Sequence, residues 1–161
     1  MTSLKDLRGS VAVVGVGHAG IGEAPGFTPM ELLAQAAARA VADAGMTMQD
    51  IDGLATCASG ATMWAMNATE YLGLRPRFVH STMLGGSSFI AHVMPAMQAL
   101  MSGQCDAVLV CYGSNQRSAP VGRKGMGEVR QQIDPQPYEQ PYQPVQPVTS
   151  YALAAARHMH E

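Results

Sequence analysis

The segment Gly85-Gly86-Ser87-Ser88 combines small residues with the predicted start of a long, charge-free helix. Backbone amides at a helix N-terminus create a positive potential, which suits a developing oxyanion or the carbonyl group of a thioester. Two adjacent glycines would also let a flat acyl group come close to the backbone. The same glycines are equally compatible with close packing of the helix against a strand, so the residues alone leave both interpretations open.

Cysteine offers a second kind of chemistry, because its thiolate is a strong nucleophile. Cys57 lies in the segment CASG after a short predicted strand, and the helix that follows carries polar residues. A lone cysteine in such a place is more often a small buried hydrophobic residue, so we expect Cys57 to be structural. With Cys105 and Cys111 it forms neither an even set nor a metal-ligand spacing. The sequence therefore predicts no metal site and reduced thiols, as in a cytoplasmic protein.

Gly15, Gly17 and Gly20 match a dinucleotide-binding fingerprint after an apolar run. That fingerprint works only if a helix opens at the glycines, so that its first amides meet the pyrophosphate. Here the helix is predicted to begin at Pro29, well downstream. We therefore interpret the glycines as a flexible connection between a strand and a helix.

The composition argues against two kinds of partner. Only 14% of residues are charged and the net charge is -2, so the clustered cations that bind a nucleic acid are not expected. The longest charge-free stretch, 78–105, contains Gly, Ser, His, Pro and Gln, which makes it a poor candidate for a membrane segment.

Strand and helix patterns alternate along the chain. Predicted strands cover 11–16, 50–56, 77–81 and 106–112, and predicted helices cover 29–44, 61–72 and 86–102. Such alternation is typical of an α/β fold with a mostly parallel sheet and helices on both faces. Thr28 and Gly45 are the expected caps of the first helix. The helix over 86–102 is apolar around most of its circumference, so we expect a buried central helix with a kink at Pro95.

The character of the sequence changes after Ser114, which predicts a domain over 1–114 and a loop region over 115–161. Residues 134–147 are rich in Pro and Gln and favour extended conformations rather than a core. A helical pattern resumes over 150–161 without a terminal cap, so the loop region is expected to be truncated.

In this order, several segments resemble the N-terminal half of the thiolase superfamily. They are VAVVGVGHAGIGEAPGFTPMELLAQAAARAVADAGM, DIDGL, EYLGL, GGSS, SGQCDAVLVCYGSNQRS and YALAAARHMHE. The nearest branch is that of the non-specific lipid-transfer or sterol-carrier-type thiolase-like proteins. The resemblance implies the first α/β repeat of a five-layered fold, with the helix after the nucleophile at its centre.

Met83 stands where this family carries its nucleophilic cysteine, since Gly86 matches the glycine three residues after it. A thioether cannot ionise, so the covalent step that needs a thiolate is not available at Met83. The resemblance is therefore to the cysteine-less aldolases that act on steroid side-chain CoA thioesters. It implies retro-aldol cleavage, no bound cofactor, a CoA thioester as substrate, and an OB-fold/zinc-ribbon partner protein.

The resemblance also implies where a ligand and a second subunit would bind. It predicts an acyl pocket bordered by Met83, Gly85, Gly86 and Ser87, and a homodimer surface around the strand at 77–81. The acid-base residues of the family lie in its C-terminal half, so no catalytic residue is assigned here. Two alternatives stay open: acyl transfer by a complete enzyme, and a non-catalytic acyl-binding or lipid-binding scaffold subunit.

Overall fold

A small parallel sheet organises the protein. The computed structural model describes residues 8–58, 61–118 and 147–161. The strands of the sheet are β1 (Gly53–Ala55), β2 (Phe78–His80) and β3 (Val108–Val110), in the order β2-β1-β3. In the parallel register, Leu54 of the central strand lies opposite Val79 on one side and Leu109 on the other. The predicted α/β class with a parallel sheet is therefore confirmed.

Helices lie before, between and after these strands along the chain. They are α1 (Pro29–Asp43), α2 (Trp64–Tyr71), α3 (Ser88–Ala91), α4 (Val93–Met101) and α5 (Pro147–His160), with a 3-10 turn at Met48–Asp50. The predicted caps of α1 are confirmed: Thr28 and Glu31 form a reciprocal capping box. Gly45 has a φ of 69°, the left-handed conformation expected after a helix.

The hydrophobic core lies between α1, α2 and one face of the sheet. Leu33 of α1, Leu54 of β1 and Ala68 of α2 are fully buried in one cluster, together with Leu109 of β3. α4 contacts β2 and β3. Because side chains alternate along a strand, His80 lies on the face opposite to Val79 and Leu54, and its ring meets that of His92 directly before α4. Helices therefore lie on both faces of the sheet, as predicted.

The prediction of a buried strand over 11–16 is wrong. This segment forms no ladder in the described part of the chain, and Val13, Val14 and Val16 are largely exposed. The segment lies along α1 instead, where a side chain at Gly15 would overlap the carbonyl of Ala40. A β-branched run can predict an extended backbone, but its burial depends on neighbouring strands that local sequence does not specify.

The predicted central helix is divided into α3 and α4 at His92. Pro95 lacks the amide that would bond to the carbonyl of Ala91, which accounts for an interruption at this point. The burial also differs from the prediction of a helix buried all round. Ala96 and Ala99 are buried, whereas Ile90 is 80% exposed and Met94 is 62% exposed. One face of the helix packs on the sheet, and its apolar opposite face has no cover among the described residues.

The carboxylate of Asp52 links the amino ends of the three strands through hydrogen bonds. Its Oδ1 accepts hydrogen bonds from the amides of Asp106 and Ala107, each at 2.9 Å. Its Oδ2 accepts from Arg77, at 2.7 Å to Nη2. Because Arg77 directly precedes β2 and Ala107 directly precedes β3, one carboxylate helps to set the register of the sheet.

The chain divides into two compact units, residues 1–119 and 120–161. In the second unit the structure describes α5, which begins at Pro147, three residues before the pattern predicted over 150–161. The predicted boundary after residue 114 stays a prediction, and the Pro/Gln-rich segment falls mostly outside the described residues.

Candidate acyl-binding site

A pocket of about 330 Å³ opens at the carboxyl ends of β1 and β2. Its walls come from the segment between β1 and α2, from the first turn of α2, and from the residues that follow β2. The larger side chains that line it are Cys57, Met63, Trp64, Met66, Val79 and Met83. Ligands of parallel α/β sheets generally bind at this end of the strands.

Met83 lines the pocket from the turn between β2 and α3. It is 45% exposed, and its Sδ lies 3.8 Å from the hydroxyl oxygen of Ser88. The residue predicted to stand at the nucleophile position is thus open to a ligand, but it presents a thioether. This sulfur can contact an apolar group and cannot serve as an ionised nucleophile.

Ser88 holds the turn that carries Met83. Its hydroxyl oxygen accepts a hydrogen bond from the amide of Leu84 at 2.8 Å and donates one to the carbonyl of Gly85 at 2.7 Å. Ser88 is fully buried, whereas its neighbour Ser87, the predicted site residue, is exposed. Ser88 was hard to predict from sequence, because either of two adjacent serines at a helix start can hold a turn.

Gly85, Gly86 and Ser87 lie beside the pocket rather than among its lining residues. Gly85 has a φ of 67°, and an added Cβ at Gly85 or Gly86 would meet no atom within 4 Å. Close packing of helix on strand therefore does not account for these glycines in the described structure. α3 has only four residues, so its amides give a weaker potential than the long helix expected from sequence. Their predicted role in substrate binding stays a prediction.

Cys57 shares the pocket with Met83, although 25 residues separate them. The two residues come together because Ala55 pairs with His80, so the segments after β1 and β2 leave the sheet side by side. Cys57 is only 3% exposed.

The thiol of Cys111 lies in the core, where burial raises its pKa to about 12.

Two histidines contact Thr82, the residue that precedes Met83 in the turn after β2. The Nε2 atom of His92 lies 3.0 Å from the carbonyl oxygen of Thr82, and the Nε2 atom of His80 lies 2.9 Å from the hydroxyl of Thr82. The two rings meet edge to face with centroids 5.2 Å apart. Nδ1 of His92 is buried and has no hydrogen-bond partner among the described residues. The histidines position Thr82 and, through it, Met83.

The described residues contain no group of three or more His, Cys, Asp or Glu side chains that could hold a metal ion. Of the helices in these same ranges, none has the length and apolarity needed to cross a membrane.

The sheet, its helices and the turn at Met83 define a thiolase-like fold. A solved structure described as an Ltp2-ChsH2(DUF35) aldolase matches with a TM-score of 0.70 and 24% identity, over 92% of this chain and 37% of that chain. The structure of OleA from Xanthomonas campestris with cerulenin matches with a TM-score of 0.50 and 20% identity, over 71% of this chain and 35% of that chain.

Two curated relatives give a finer comparison. The steroid side-chain-cleaving aldolase of Thermomonospora curvata is 29% identical, and the 17-hydroxy-3-oxo-4-pregnene-20-carboxyl-CoA lyase of Mycobacterium tuberculosis is 28% identical. Each match covers 96% of this chain, which spans 41% of the length of either relative. No family model matches the chain. The predicted resemblance to thiolase-like steroid side-chain aldolases is confirmed.

Proposed function

We propose that this chain is part of a thiolase-like lyase that cleaves a carbon–carbon bond of a steroid acyl-CoA thioester by a retro-aldol reaction. The observation that carries the proposal is the similarity to an aldolase and a CoA lyase along 96% of the chain. Met83 in the lining of the pocket supports it, because a thioether is compatible with a reaction that forms no acyl-enzyme.

The proposed reaction follows from the compound in the name of the M. tuberculosis relative. Its hydroxyl group on carbon 17 is β to the thioester carbonyl, which is the arrangement that a retro-aldol reaction needs. A base removes the hydroxyl proton, the bond between carbons 17 and 20 breaks, and its electron pair moves into the thioester as an enolate. Protonation of the enolate gives propionyl-CoA, and the other product is a 17-oxo steroid. We assign no acid or base for these steps to this chain.

A direct assay tests the proposal. The protein is combined with the C-terminal half of a steroid side-chain-cleaving aldolase, where the resemblance places the acid-base residues. The mixture is incubated with 17-hydroxy-3-oxo-4-pregnene-20-carboxyl-CoA, with and without an OB-fold/zinc-ribbon protein as partner, and propionyl-CoA is measured by mass spectrometry. We expect equal amounts of propionyl-CoA and 17-oxo steroid. Binding of the thioester without any cleavage, in the presence of both the C-terminal half and the partner, would favour a non-catalytic acyl-binding or scaffold role instead.

The assembly is a separate part of the proposal. β2 is an edge strand of the described sheet, and its Val79 is 48% exposed. Pairing of two β2 edges would satisfy their open hydrogen-bonding groups, which supports a homodimer through this strand. Light scattering tests it: we expect a dimer that Val79→Lys weakens, whereas a monomer would reject it. A cytoplasmic location is also part of the proposal.

One observation favours acyl transfer as a second candidate: Cys57 lines the same pocket as Met83. Its low exposure of 3% opposes attack on a thioester unless the pocket opens. Peptide mass spectrometry after incubation with acetyl-CoA distinguishes the two reactions. An acetyl group on Cys57 that is replaced during turnover would support transfer, whereas an unmodified Cys57 supports the lyase.

A further inference from the structure

The chemistry of the pocket lining indicates which part of a CoA thioester it fits. Among the described residues that line it, none is charged, and most are Ala, Met, Val or Trp. The indole Nε1 of Trp64 already donates to the hydroxyl of Thr56 at 3.3 Å, so the pocket receives mainly the apolar ring. The phosphates of CoA require cations or several hydrogen-bond donors. The pocket therefore fits the acyl part and not the CoA part.

Methionines form the adaptable part of the wall. Met63, Met66 and Met83 are 60%, 59% and 45% exposed. Methionine side chains are flexible and polarisable, so they can adjust to a ligand of irregular outline. Their exposure at the mouth of a concave, apolar surface distinguishes them from methionines that only fill a core.

Met63 also has an unusual backbone. It precedes α2 with φ 54° and ψ 32°, the only non-glycine residue with a positive φ among those the structure describes. A left-handed conformation is unfavourable for a residue that carries a side chain. A glycine at this place would remove the cost, and yet the chain carries a large side chain that lines the pocket. Such strain is commonly found at ligand-binding sites.

We propose that the apolar acyl part of the thioester occupies this pocket, with Met63 and Met66 as the residues that determine which acyl groups fit. The inference rests on the proposed function, because it takes a CoA thioester as the ligand. The thioester carbonyl then lies at the edge of the pocket near Met83, and the CoA part extends into solvent. A pocket of about 330 Å³ takes one end of a large acyl group rather than the whole of it.

The fluorescence of Trp64 reports occupancy directly, because it is the only tryptophan in the chain. The protein is titrated with the steroid CoA thioester, with acetyl-CoA and with free CoA, and binding is measured in parallel by calorimetry. We expect the steroid thioester to change the Trp64 emission, whereas acetyl-CoA and free CoA leave it nearly unchanged.

Two matched variants test the role of the methionines. Met66→Ala shortens a pocket residue, and Met94→Ala shortens a methionine of similar exposure on α4, outside the pocket. We expect Met66→Ala to weaken binding of the steroid thioester roughly tenfold and Met94→Ala to leave it unchanged. Met63→Gly removes both the side chain and the backbone strain, so it folds at least as well and loses discrimination between acyl groups.

The outcomes separate this inference from the proposed function. If calorimetry detects the steroid thioester while Trp64 emission stays constant and Met66→Ala binds like Met94→Ala, the acyl group lies elsewhere and the inference is wrong. In that case cleavage of the thioester would still support the lyase. If no thioester binds and none is cleaved in the presence of both the C-terminal half and the partner, the proposed function and this inference are both rejected.

Discussion

The imidazole of His92 holds the backbone of Thr82, with Nε2 3.0 Å from its carbonyl oxygen and 3.3 Å from its amide nitrogen. His92 is fully buried and lies at the break between α3 and α4. Thr82 directly precedes Met83. A buried ring at a helix break thus fixes the turn that leads to the pocket.

Replacement of His92 should loosen this turn. His92→Leu keeps an apolar side chain in the core but leaves the backbone of Thr82 without its partner. We expect a loss of about 1–3 kcal/mol in the free energy of unfolding, the usual cost of leaving a buried polar group unpaired. Urea denaturation measures it. His18→Leu, at an exposed position, is the control and should change stability little; equal effects of the two variants would contradict the role of His92.

Gly85 and Gly86 allow a matched comparison of two glycine-to-alanine variants. Both have open space around them, but only Gly85 has a positive φ, of 67°. We expect Gly85→Ala to lower the free energy of unfolding by about 1–2 kcal/mol through backbone strain, and Gly86→Ala to have little effect. The difference between the two variants in urea denaturation is the decisive quantity. A larger loss for Gly86→Ala would mean that contacts, rather than backbone conformation, select the glycines.

Local signals predicted α1 well, because its caps depend only on residues close in sequence. Thr28 bonds with Glu31 within three residues, and Gly45 needs only its own conformational freedom. The strand predicted over 11–16 failed for the opposite reason. A strand requires hydrogen-bonding neighbours, and the amide of Val16 bonds instead to the carboxylate of Asp43, 27 residues away.

The pocket was only partly predictable for the same physical reason. The sequence pointed to Met83, but it gave no indication that Cys57 and Trp64 lie with it. Their association depends on the register in which Ala55 pairs with His80. Strand register is set by side-chain packing across the sheet, which a single short strand does not encode.

His80 should make stability depend on pH. Its pKa lies below the ordinary value of 6.5, because burial disfavours the charged ring and His92 lies close to it. As the pH is lowered through 6.5, the unfolded chain therefore binds a proton at this histidine more readily than the folded chain does. The free energy of unfolding falls with decreasing pH until the pKa of the folded state is passed. Urea denaturation at about pH 7.5 and about pH 5.5 measures this loss, above the range in which carboxylates titrate.

A substitution identifies the group responsible for this pH dependence. His80→Gln should reduce the loss of stability between the two pH values, because it removes the ring whose pKa is lowered in the folded protein. If His80→Gln retains the pH dependence of the native protein, the titration belongs to another group, and the contact between His80 and His92 has no influence on it.

Met83→Cys tests whether the turn presents its side chain to ligands. A cysteine at this 45% exposed position should react with iodoacetamide at about pH 8, where part of an exposed thiol is ionised. The native thiols should react far more slowly, because Cys57 is 3% exposed and burial raises the pKa of Cys111 to about 12. Peptide mass spectrometry locates the label, and unfolding in urea provides the control in which every cysteine reacts. If the folded variant labels no faster than the native protein, Met83 is covered in solution. If the steroid CoA thioester slows labelling of the new cysteine and free CoA does not, the acyl group lies against residue 83.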